Sequence, residues 1–403
     1  MTDFLIGRQQ ILDHKLNTFA YEILFRGKDF DLSVQESAAS ATNQVITDTI
    51  LEIGLNELVG PHLAFINFTA QNILEKTPLD LPRDRIVVEV LENVKVDMHI
   101  VKNLRELSSR GYTIALDDFE LTPEWLPLLE FVDIIKLDIM AYSLEDTRRL
   151  IETLKPYKLK LLAEKVETHQ EFKLLQEWGC ELFQGFFFSK PNIVEGKRIG
   201  VSQTATLQLL AAINKPDVTF QAVSKVISQD VSLSYKLLHY INSASFAIPN
   251  KIQSLQHAAT YLGLKELRRW TNILALSSMS SKPPAVLQTV LVRAKMCELL
   301  ATEIKQDPET YFLVGLLSGL DSILDMPLEK GLQQLPLSNL VSDAILQKTG
   351  SAGEALQYAL DYERWDVDRP TFGNIKPKRI ADIYLECIQW WSTQVYPHIK
   401  NTV

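Results

Sequence analysis

A short apolar run that ends in a polar or acidic residue recurs along the first half of the chain, and an amphipathic segment follows each run. This alternation is the pattern of strands that are each followed by a helix. The runs are Ala20–Glu22, Phe65–Asn67, Ile86–Glu89, Ile114–Asp118, Ile134–Asp138, Leu161–Glu164 and Leu182–Gln184. Such apolar strands need cover on both faces, and about seven or eight units in roughly 200 residues favour a (β/α)8 barrel over an open sheet.

The second half of the chain has a different pattern. After Pro191 the strand-like runs end, and from Leu207 onward apolar residues recur at helical spacing. We therefore predict an α/β domain followed by an all-α domain. The predicted boundaries are a barrel in residues 1–195, a linker in 196–203, a helical domain in 204–390 and a tail in 391–403. Trp390, Trp391 and Tyr396 are expected to pack onto the helices, with an exposed aromatic surface for a partner as the alternative.

Charge and composition exclude several classes of partner. The formal net charge of −9, with no block of basic residues to offset it, would repel a polyanion, so duplex nucleic acid is not expected as a partner. No stretch approaches the ~20 apolar residues that span a bilayer, and we expect no association with the membrane. The cysteines, Cys180, Cys297 and Cys387, are widely spaced and form no CxxC motif. Reduced thiols and a cytoplasmic location are therefore expected.

Polar side chains at the ends of the predicted strands carry the chemistry. In a barrel of parallel strands these ends meet at one mouth, so an asparagine, a lysine, a glutamine and several carboxylates should converge there. Crowded carboxylates repel one another unless a divalent cation compensates their charge, and a donor set of oxygens alone favours Mg²⁺ or Mn²⁺. Two such ions can activate a water and stabilise the leaving oxygen of a phosphodiester, and the adjacent pair Asp117 and Asp118 suits a bridging position. For any single acid, a solvated loop residue or a helix N-cap is the alternative interpretation.

Residues 1–195 resemble the EAL domain, a (β/α)8 barrel that hydrolyses cyclic di-GMP to linear pGpG with two Mg²⁺ or Mn²⁺ ions. The Glu-Ala-Leu signature stands here as Glu22-Ile23-Leu24, and the paired aspartates precede Phe119. The resemblance implies that the metal ligands are Glu22, Asn67, Glu89, Asp117, Asp118 and Glu164, with Asp117 touching both ions. It assigns catalysis to Lys136, Glu22 and Glu164, and contacts with the substrate to Arg26 and Gln184.

Two positions depart from the EAL pattern. Glu120-Leu121-Thr122-Pro123 stands where the family usually has Gly-Thr-Gly, in a loop that positions the metal acids and links barrels into dimers. Lys165 replaces the glycine of Glu-Gly-Val-Glu, where it could pair with Glu164 and compete with a metal. Displacing catalytic acids by about an ångström can cost roughly 10²-fold in rate. A cyclic di-GMP sensor or a scaffold therefore stands as the alternative to a phosphodiesterase, and a barrel metalloenzyme of unrelated substrate is the third hypothesis.

The second half resembles the HDOD domain across roughly residues 200–390. The resemblance rests on Leu237–Phe246, Ile252–Leu255 and Tyr261–Leu264. It implies an all-α fold that is related to metal-dependent HD phosphohydrolases but lacks their ligands. Where such an enzyme would place His-Asp after Gly-Leu-Leu, this chain has Gly315–Asp321. A signalling or interaction module is implied, so other signalling proteins are expected partners and a second copy of the chain is a further candidate.

Overall fold

The structure is a computed structural model that describes residues 4–27, 53–190, 201–215, 217–242, 252, 254–279, 282–366 and 371–399. Within these ranges, the side chains at 4, 26, 189, 201–206, 231–232, 255–259 and 278–279 are not described. The chain forms two compact units, which are Met1–Phe188 with Lys376–Leu385, and Ser189–Ile375 with Glu386–Val403.

The first unit contains a closed barrel whose strands follow one another in chain order. The strands are β1 (Phe4–Asp13), β2 (Thr18–Gly27), β3 (Leu63–Phe68), β4 (Ile86–Val90), β5 (Thr113–Leu116), β6 (Ile134–Asp138), β7 (Lys160–Glu164) and β8 (Leu182–Gln184). The apolar runs recognised in the sequence lie on β2 to β8, so the predicted barrel is confirmed.

Helices connect most of the parallel strands. They are α1 (Leu55–Val59), α2 (Ala70–Glu75), α3 (Met98–Ser109), α4 (Leu144–Leu154) and α5 (His169–Trp178). A short polar side chain precedes four of them and accepts a hydrogen bond from a backbone N–H of the first turn, which explains where these helices begin. These caps are Thr69, Asp97, Ser143 and Thr168. In α3, Ile100, Leu104 and Leu107 are buried, so the helix covers the barrel with one apolar face.

The first strand departs from the repeating pattern. Strand β1 pairs antiparallel with both β2 and β8, whereas the other neighbouring strands pair in parallel. A tight turn, not a helix, joins β1 to β2: Asp13 Oδ1 accepts hydrogen bonds from the backbone N–H groups of Lys15 and Asn17, each at 2.8 Å. Sequence analysis missed β1 because Arg8, Gln9 and Gln10 interrupt its apolar run.

One apolar layer fills the barrel, and each strand contributes one residue to it. These residues are Ile11, Ala20, Phe65, Val87, Ala115, Ile134, Leu162 and Leu182, in the order β1 to β8. Removing them from water stabilises the closed barrel. Because side chains alternate between the two faces of a strand, residues two positions further along point to the same interior, one layer nearer the mouth.

The described residues after 200 are helical apart from turns and an isolated bridge between Phe372 and Ile375. The helices are α6 (Val201–Ile213), α7 (Phe220–Ser228), α8 (Val231–Ile241), α9 (Leu255–Met279), α10 (Pro284–Glu303), α11 (Pro308–Leu317), α12 (Leu320–Leu324), α13 (Leu328–Leu332), α14 (Asn339–Leu346), α15 (Gly350–Arg364), α16 (Pro377–Trp390) and α17 (Tyr396–Ile399), with a π-helical turn at Trp391–Val395. The predicted all-α architecture is confirmed. Of the helices described, none combines the length and the apolar character needed to cross a bilayer.

Helices extend into the predicted linker and into the predicted tail. Helix α6 begins at Val201, so residues 201–203 of the predicted linker are helical, while residues 196–200 lie outside the described ranges. Residues 391–399 of the predicted tail are also helical, because Trp391, Val395 and Ile399 recur every four residues and are all buried. Trp390 is buried as well, so the packed interpretation of Trp390 and Trp391 is confirmed.

Asn242, within the run that resembles the HDOD domain, has a structural role. Its Nδ2 donates to the carbonyl oxygens of Leu238 and Ile252, and its Oδ1 accepts from the backbone N–H of Ile252 at 2.7 Å. The side chain thereby satisfies backbone groups where α8 ends, as expected for a short polar residue at a helix terminus. Residues 243–246 of the same run lie outside the described ranges.

Candidate metal centre

The polar residues singled out in the sequence form the layer directly above the apolar core. Each lies two positions after the core residue of its own strand, and therefore on the same face. These residues are Glu22, Asn67, Glu89, Asp117, Lys136, Glu164 and Gln184, on or directly after β2 to β8. On the antiparallel β1, the equivalent step runs backward from Ile11 to Gln9. The structure thus brings these predicted residues together at one mouth of the barrel.

Lys136 lies at the centre of this layer. Its Nζ is 2.8 Å from Asp117 Oδ1, 2.9 Å from Glu164 Oε1 and 3.7 Å from Glu22 Oε2, and it donates a hydrogen bond to Glu89 Oε1. The lysine is 1% exposed and Glu89 is fully buried. One ammonium therefore faces four carboxylates, and the site carries an excess of negative charge.

Burial and charge shift the pKa values of these groups strongly. Burial raises the pKa of Glu89 well above its ordinary value, and only part of this effect is offset by Lys136. Burial likewise raises the pKa of Glu164 to about 8. Burial by itself would lower the pKa of Lys136, but the surrounding carboxylates, Glu164 first, raise it well above its ordinary value. The lysine therefore stays charged, whereas burial favours the protonated form of Glu89 and Glu164 because one ammonium does not compensate their charge.

Glu22 connects two other strands to the site. Its Oε1 accepts a hydrogen bond from Asn67 Nδ2 at 3.4 Å, and its Oε2 accepts one from Gln184 Nε2 at 2.6 Å. Gln184 Nε2 also donates to Gln9 Oε1 at 2.8 Å. Glu22 lies in the middle of β2 and not at its end, because β2 continues to Gly27 in pairing with β1.

Gln9 was missed by sequence reasoning. It lies directly opposite Glu22 in the register of β1 and β2. The sequence contains a pattern that indicates Gln9, which stands two positions before the apolar Ile11 in a run of strand-forming residues. Because β1 runs antiparallel to its neighbours, Gln9 precedes the core residue Ile11 in the sequence, so the pattern of an apolar run that ends in a polar residue does not include it.

Several buried oxygens in the site lack a hydrogen-bond donor within the part of the chain that the structure describes. They are Asn67 Oδ1, Glu89 Oε2 and Gln184 Oε1. A buried acceptor without a donor is costly unless another positive group compensates it. Unsatisfied oxygens beside excess carboxylates fit a hard divalent cation, which takes carboxylate and amide oxygens as ligands.

Asp117 and Asp118 extend the donor set beyond the end of β5. Among the described residues, Asp117, Asp118 and Glu164 form a group in which one carboxylate oxygen of each residue lies within 4.8 Å of the other two. Asp118 has a φ of +39°, a left-handed conformation that turns the chain directly after the strand. Burial and the charge of Asp117 raise the pKa of Asp118. The adjacent aspartates and Glu164 could therefore share a cation.

Lys165 has a different partner from the one expected. Its Nζ lies 2.5 Å from Asp138 Oδ2, so the ion pair that it forms joins the end of β6 to the residue after β7. The expected pairing with Glu164 does not form: Glu164 Oε1 lies 2.9 Å from Lys136 Nζ, and the ammonium of Lys165 pairs with Asp138 instead.

The other departure from the EAL pattern forms a compact turn. Thr122 donates its backbone N–H to the carbonyl oxygen of Glu120 at 2.8 Å, and Trp125 donates to Thr122 at 3.1 Å. None of residues 120–123 has a positive φ, so the turn does not require glycine. Arg26 lies on β2, but its side chain is outside the described part of the chain, and its predicted phosphate contact stays a prediction.

The fold and the site define a class: barrel proteins with an oxygen-rich mouth built around a buried lysine and followed by a helical domain. Comparison with known proteins specifies this class further. The EAL domain family matches residues 27–191, and the HDOD domain family matches residues 201–332. The chain belongs to the family of proteins that join an EAL domain to an HDOD domain.

Two relatives share this organisation over most of their length. The cyclic di-GMP phosphodiesterase CdgJ of Vibrio cholerae is 36% identical over 367 residues, which cover 90% of this chain and 85% of CdgJ. The uncharacterized protein YuxH of Bacillus subtilis is 31% identical over 397 residues, which cover 96% of this chain and 97% of YuxH. The similarity therefore spans both domains.

Proposed function

We propose that this chain is a metal-dependent phosphodiesterase that hydrolyses cyclic di-GMP to linear pGpG. The observation that carries the proposal is the layer of oxygen donors around Lys136, with buried oxygens that lack a donor among the described residues. Such a layer suits hard divalent cations and chemistry on a phosphodiester. The similarity to CdgJ, a protein named for this activity, supports cyclic di-GMP as the substrate.

Two Mg²⁺ or Mn²⁺ ions are the proposed cofactors. The residues that would hold them are Glu22, Asn67, Glu89, Asp117, Asp118 and Glu164. When bound, such ions supply a nucleophilic hydroxide at neutral pH and withdraw charge from phosphoryl oxygens. Glu22 and Glu164 would contribute to catalysis by holding these ions.

Other side chains would orient the substrate and stabilise developing charge. Lys136 offers a fixed ammonium that is held by Asp117 and Glu164, so it needs no rearrangement to stabilise negative charge on a phosphoryl oxygen. Gln184 would contact the substrate while its Nε2 holds Glu22 in place. Arg26, near the end of β2, would contact a substrate phosphate.

Binding without turnover is the second candidate function. The observation that favours it is the turn at residues 120–123, which lacks the glycines expected in a loop that positions the metal acids. In that case the barrel would sense cyclic di-GMP, or serve as a scaffold, without opening it.

We also propose that the helical domain binds other signalling proteins or a second copy of the chain. We propose a cytoplasmic location, which fits three cysteines that are buried and unbridged.

One experiment separates the candidates. The purified full chain is incubated with cyclic di-GMP and Mg²⁺ or Mn²⁺, the products are separated by chromatography, and binding is measured in Ca²⁺. Linear pGpG that is lost in Glu22→Gln and retained in the control Glu181→Gln, an exposed acid beside β8, supports the phosphodiesterase. Tight binding without product supports the sensor. Neither product nor binding would contradict both.

A further inference from the structure

Lys165 and Asp138 form an ion pair at the rim of the proposed metal centre. While Lys165 Nζ contacts Asp138 Oδ2 at 2.5 Å, Asp138 Oδ1 accepts a hydrogen bond from the backbone N–H of Met140 at 2.8 Å. Both oxygens of this carboxylate are therefore engaged. A lysine ammonium is charged at neutral pH, so the contact is an ion pair.

The pair lies beside the donor group. Asp138 ends β6 and pairs in register with Glu164, which ends β7, and Lys165 follows directly. Neighbouring strands are about 4.8 Å apart, so the Asp138 carboxylate is one strand away from Glu164. Glu164 belongs to the donor group with Asp117 and Asp118, so both charges of the pair lie beside that group.

The backbone of Lys165 gives a second, independent observation. Its φ is +55°, in the left-handed region that is unfavourable for a residue with a Cβ atom. Glycine, the usual residue of the Glu-Gly-Val-Glu motif, would adopt this conformation without penalty. The lysine nevertheless occupies this position beside the proposed metal centre, where its ammonium pairs with Asp138.

We propose that Lys165 and Asp138 are positioning residues that set the cation affinity of the barrel mouth. The ammonium holds the Asp138 carboxylate away from the group of Asp117, Asp118 and Glu164 and adds positive charge beside it. The pair thereby keeps the affinity for divalent cations below the value that the carboxylates alone would give. This inference rests on the proposed function, because it concerns the same metal centre.

The two partners should have opposite effects when they are changed separately. Lys165→Met frees the carboxylate of Asp138 and removes a positive charge, so cation affinity should rise. Asp138→Asn removes a negative charge and frees the ammonium to approach Asp118 and Glu164, so affinity should fall. Because the Lys165 side chain is 58% exposed, solvent screens its charge, and each change should amount to about three- to tenfold.

The test is a titration of the full-length chain with Mn²⁺, in which free Mn²⁺ is followed by electron paramagnetic resonance. Wild type is compared with Lys165→Met, Asp138→Asn, the double variant and Lys158→Met, a control that removes an exposed lysine from the loop before β7. Tighter binding in Lys165→Met, weaker binding in Asp138→Asn and an unchanged control support the inference. Thermal unfolding in chelator verifies that each variant folds.

Two results would overturn the inference. If both single variants bind Mn²⁺ as wild type does, or if both bind it more weakly, the pair only stabilises the loops. The proposed function is tested separately in the same titration, because it requires that wild type binds Mn²⁺ and that Glu22→Gln does not. If wild type binds Mn²⁺, Glu22→Gln does not, and Lys165→Met and Asp138→Asn bind it with equal affinity, the proposed function stands and the role of the pair is refuted.

Discussion

The ammonium of Lys136 and the carboxylate of Asp117 lie 2.8 Å apart at the mouth of the barrel, although 18 residues separate them along the chain. Lys136 is in the middle of β6, and Asp117 directly follows β5. The contact joins the lysine to a group of acids that would otherwise repel one another, so it stabilises the fold as well as the proposed site.

Lys136→Met should destabilise the metal-free protein. The variant leaves buried carboxylates without their ammonium partner, and breaking a buried ion pair in this way costs about 3–5 kcal/mol. Chemical unfolding of the barrel in the presence of a chelator measures the loss, and added Mg²⁺ should recover part of it. The control Lys158→Met should stay within about 0.5 kcal/mol of wild type. A Lys136→Met barrel as stable as wild type in chelator would contradict this account.

Gly185→Ala should destabilise the barrel beside Gln184. A Cβ atom at this position would lie 2.1 Å from the carbonyl oxygen of Val166 and 2.5 Å from its nitrogen, so backbone must move. Overpacking of this kind costs about 1–3 kcal/mol, and the positive φ of +144° adds to it. Gly111→Ala is the matched control, because its φ is also positive but its nearest neighbours are side-chain atoms of Arg83 at 3.8 Å or beyond. Calorimetry should show a clearly lower melting temperature for Gly185→Ala than for Gly111→Ala, and equal values would refute the clash.

Arg293→Met should destabilise the second unit, and more strongly as the pH rises. Arg293 Nε and Nη2 donate to the two oxygens of Glu363, each at 2.9 Å, and losing this partner strands a carboxylate that is only 18% exposed, at a cost of about 3 kcal/mol. Burial raises the pKa of Glu363, although Arg293 lowers it, so the pKa should rise further in the variant.

The direction of the pH effect follows from linkage. A carboxyl whose folded-state pKa is raised contributes stability that is present below its unfolded pKa and lost as the pH rises through its folded pKa. The melting temperature of Arg293→Met should therefore be closest to wild type near pH 5 and fall furthest behind near pH 8. The double variant that carries both Arg293→Met and Glu363→Gln should lack this pH dependence of the melting temperature. If the melting temperature of Arg293→Met lies equally far below that of wild type at both pH values, the unpaired charge of Glu363 is not the cause of the loss.

The thiols should be unreactive in the folded protein. Burial raises the pKa of Cys180 and of Cys297 to about 12, and it raises the pKa of Cys387 well above its ordinary value. An aromatic disulfide reagent at pH 8 should react with none of them in native protein and with all three after denaturation, since reaction requires an accessible thiolate. Rapid reaction of a native thiol would show that its surroundings open readily.

Much of the barrel and its site could be predicted because both depend on the alternation of side chains along strands. Phe65 and Asn67, or Ile134 and Lys136, show the apolar and polar layers two residues apart in the sequence itself. Strand β1 escaped prediction because Arg8, Gln9 and Gln10 interrupt its apolar run, and Gln9 was lost with it. The helical ending at Trp391–Ile399 was missed although its apolar spacing is visible in the sequence.

The sequence by itself determined which residues share a face of each strand, since that depends only on local backbone geometry. It thereby specified the composition of the barrel mouth, from Glu22 to Gln184. Only the tertiary structure decided which charges meet: Lys136 reaches carboxylates from several strands, and Lys165 turns from its neighbour Glu164 to Asp138. The physical reason is that an ion pair depends on distance through space, which strand order and register set, and not on separation along the chain.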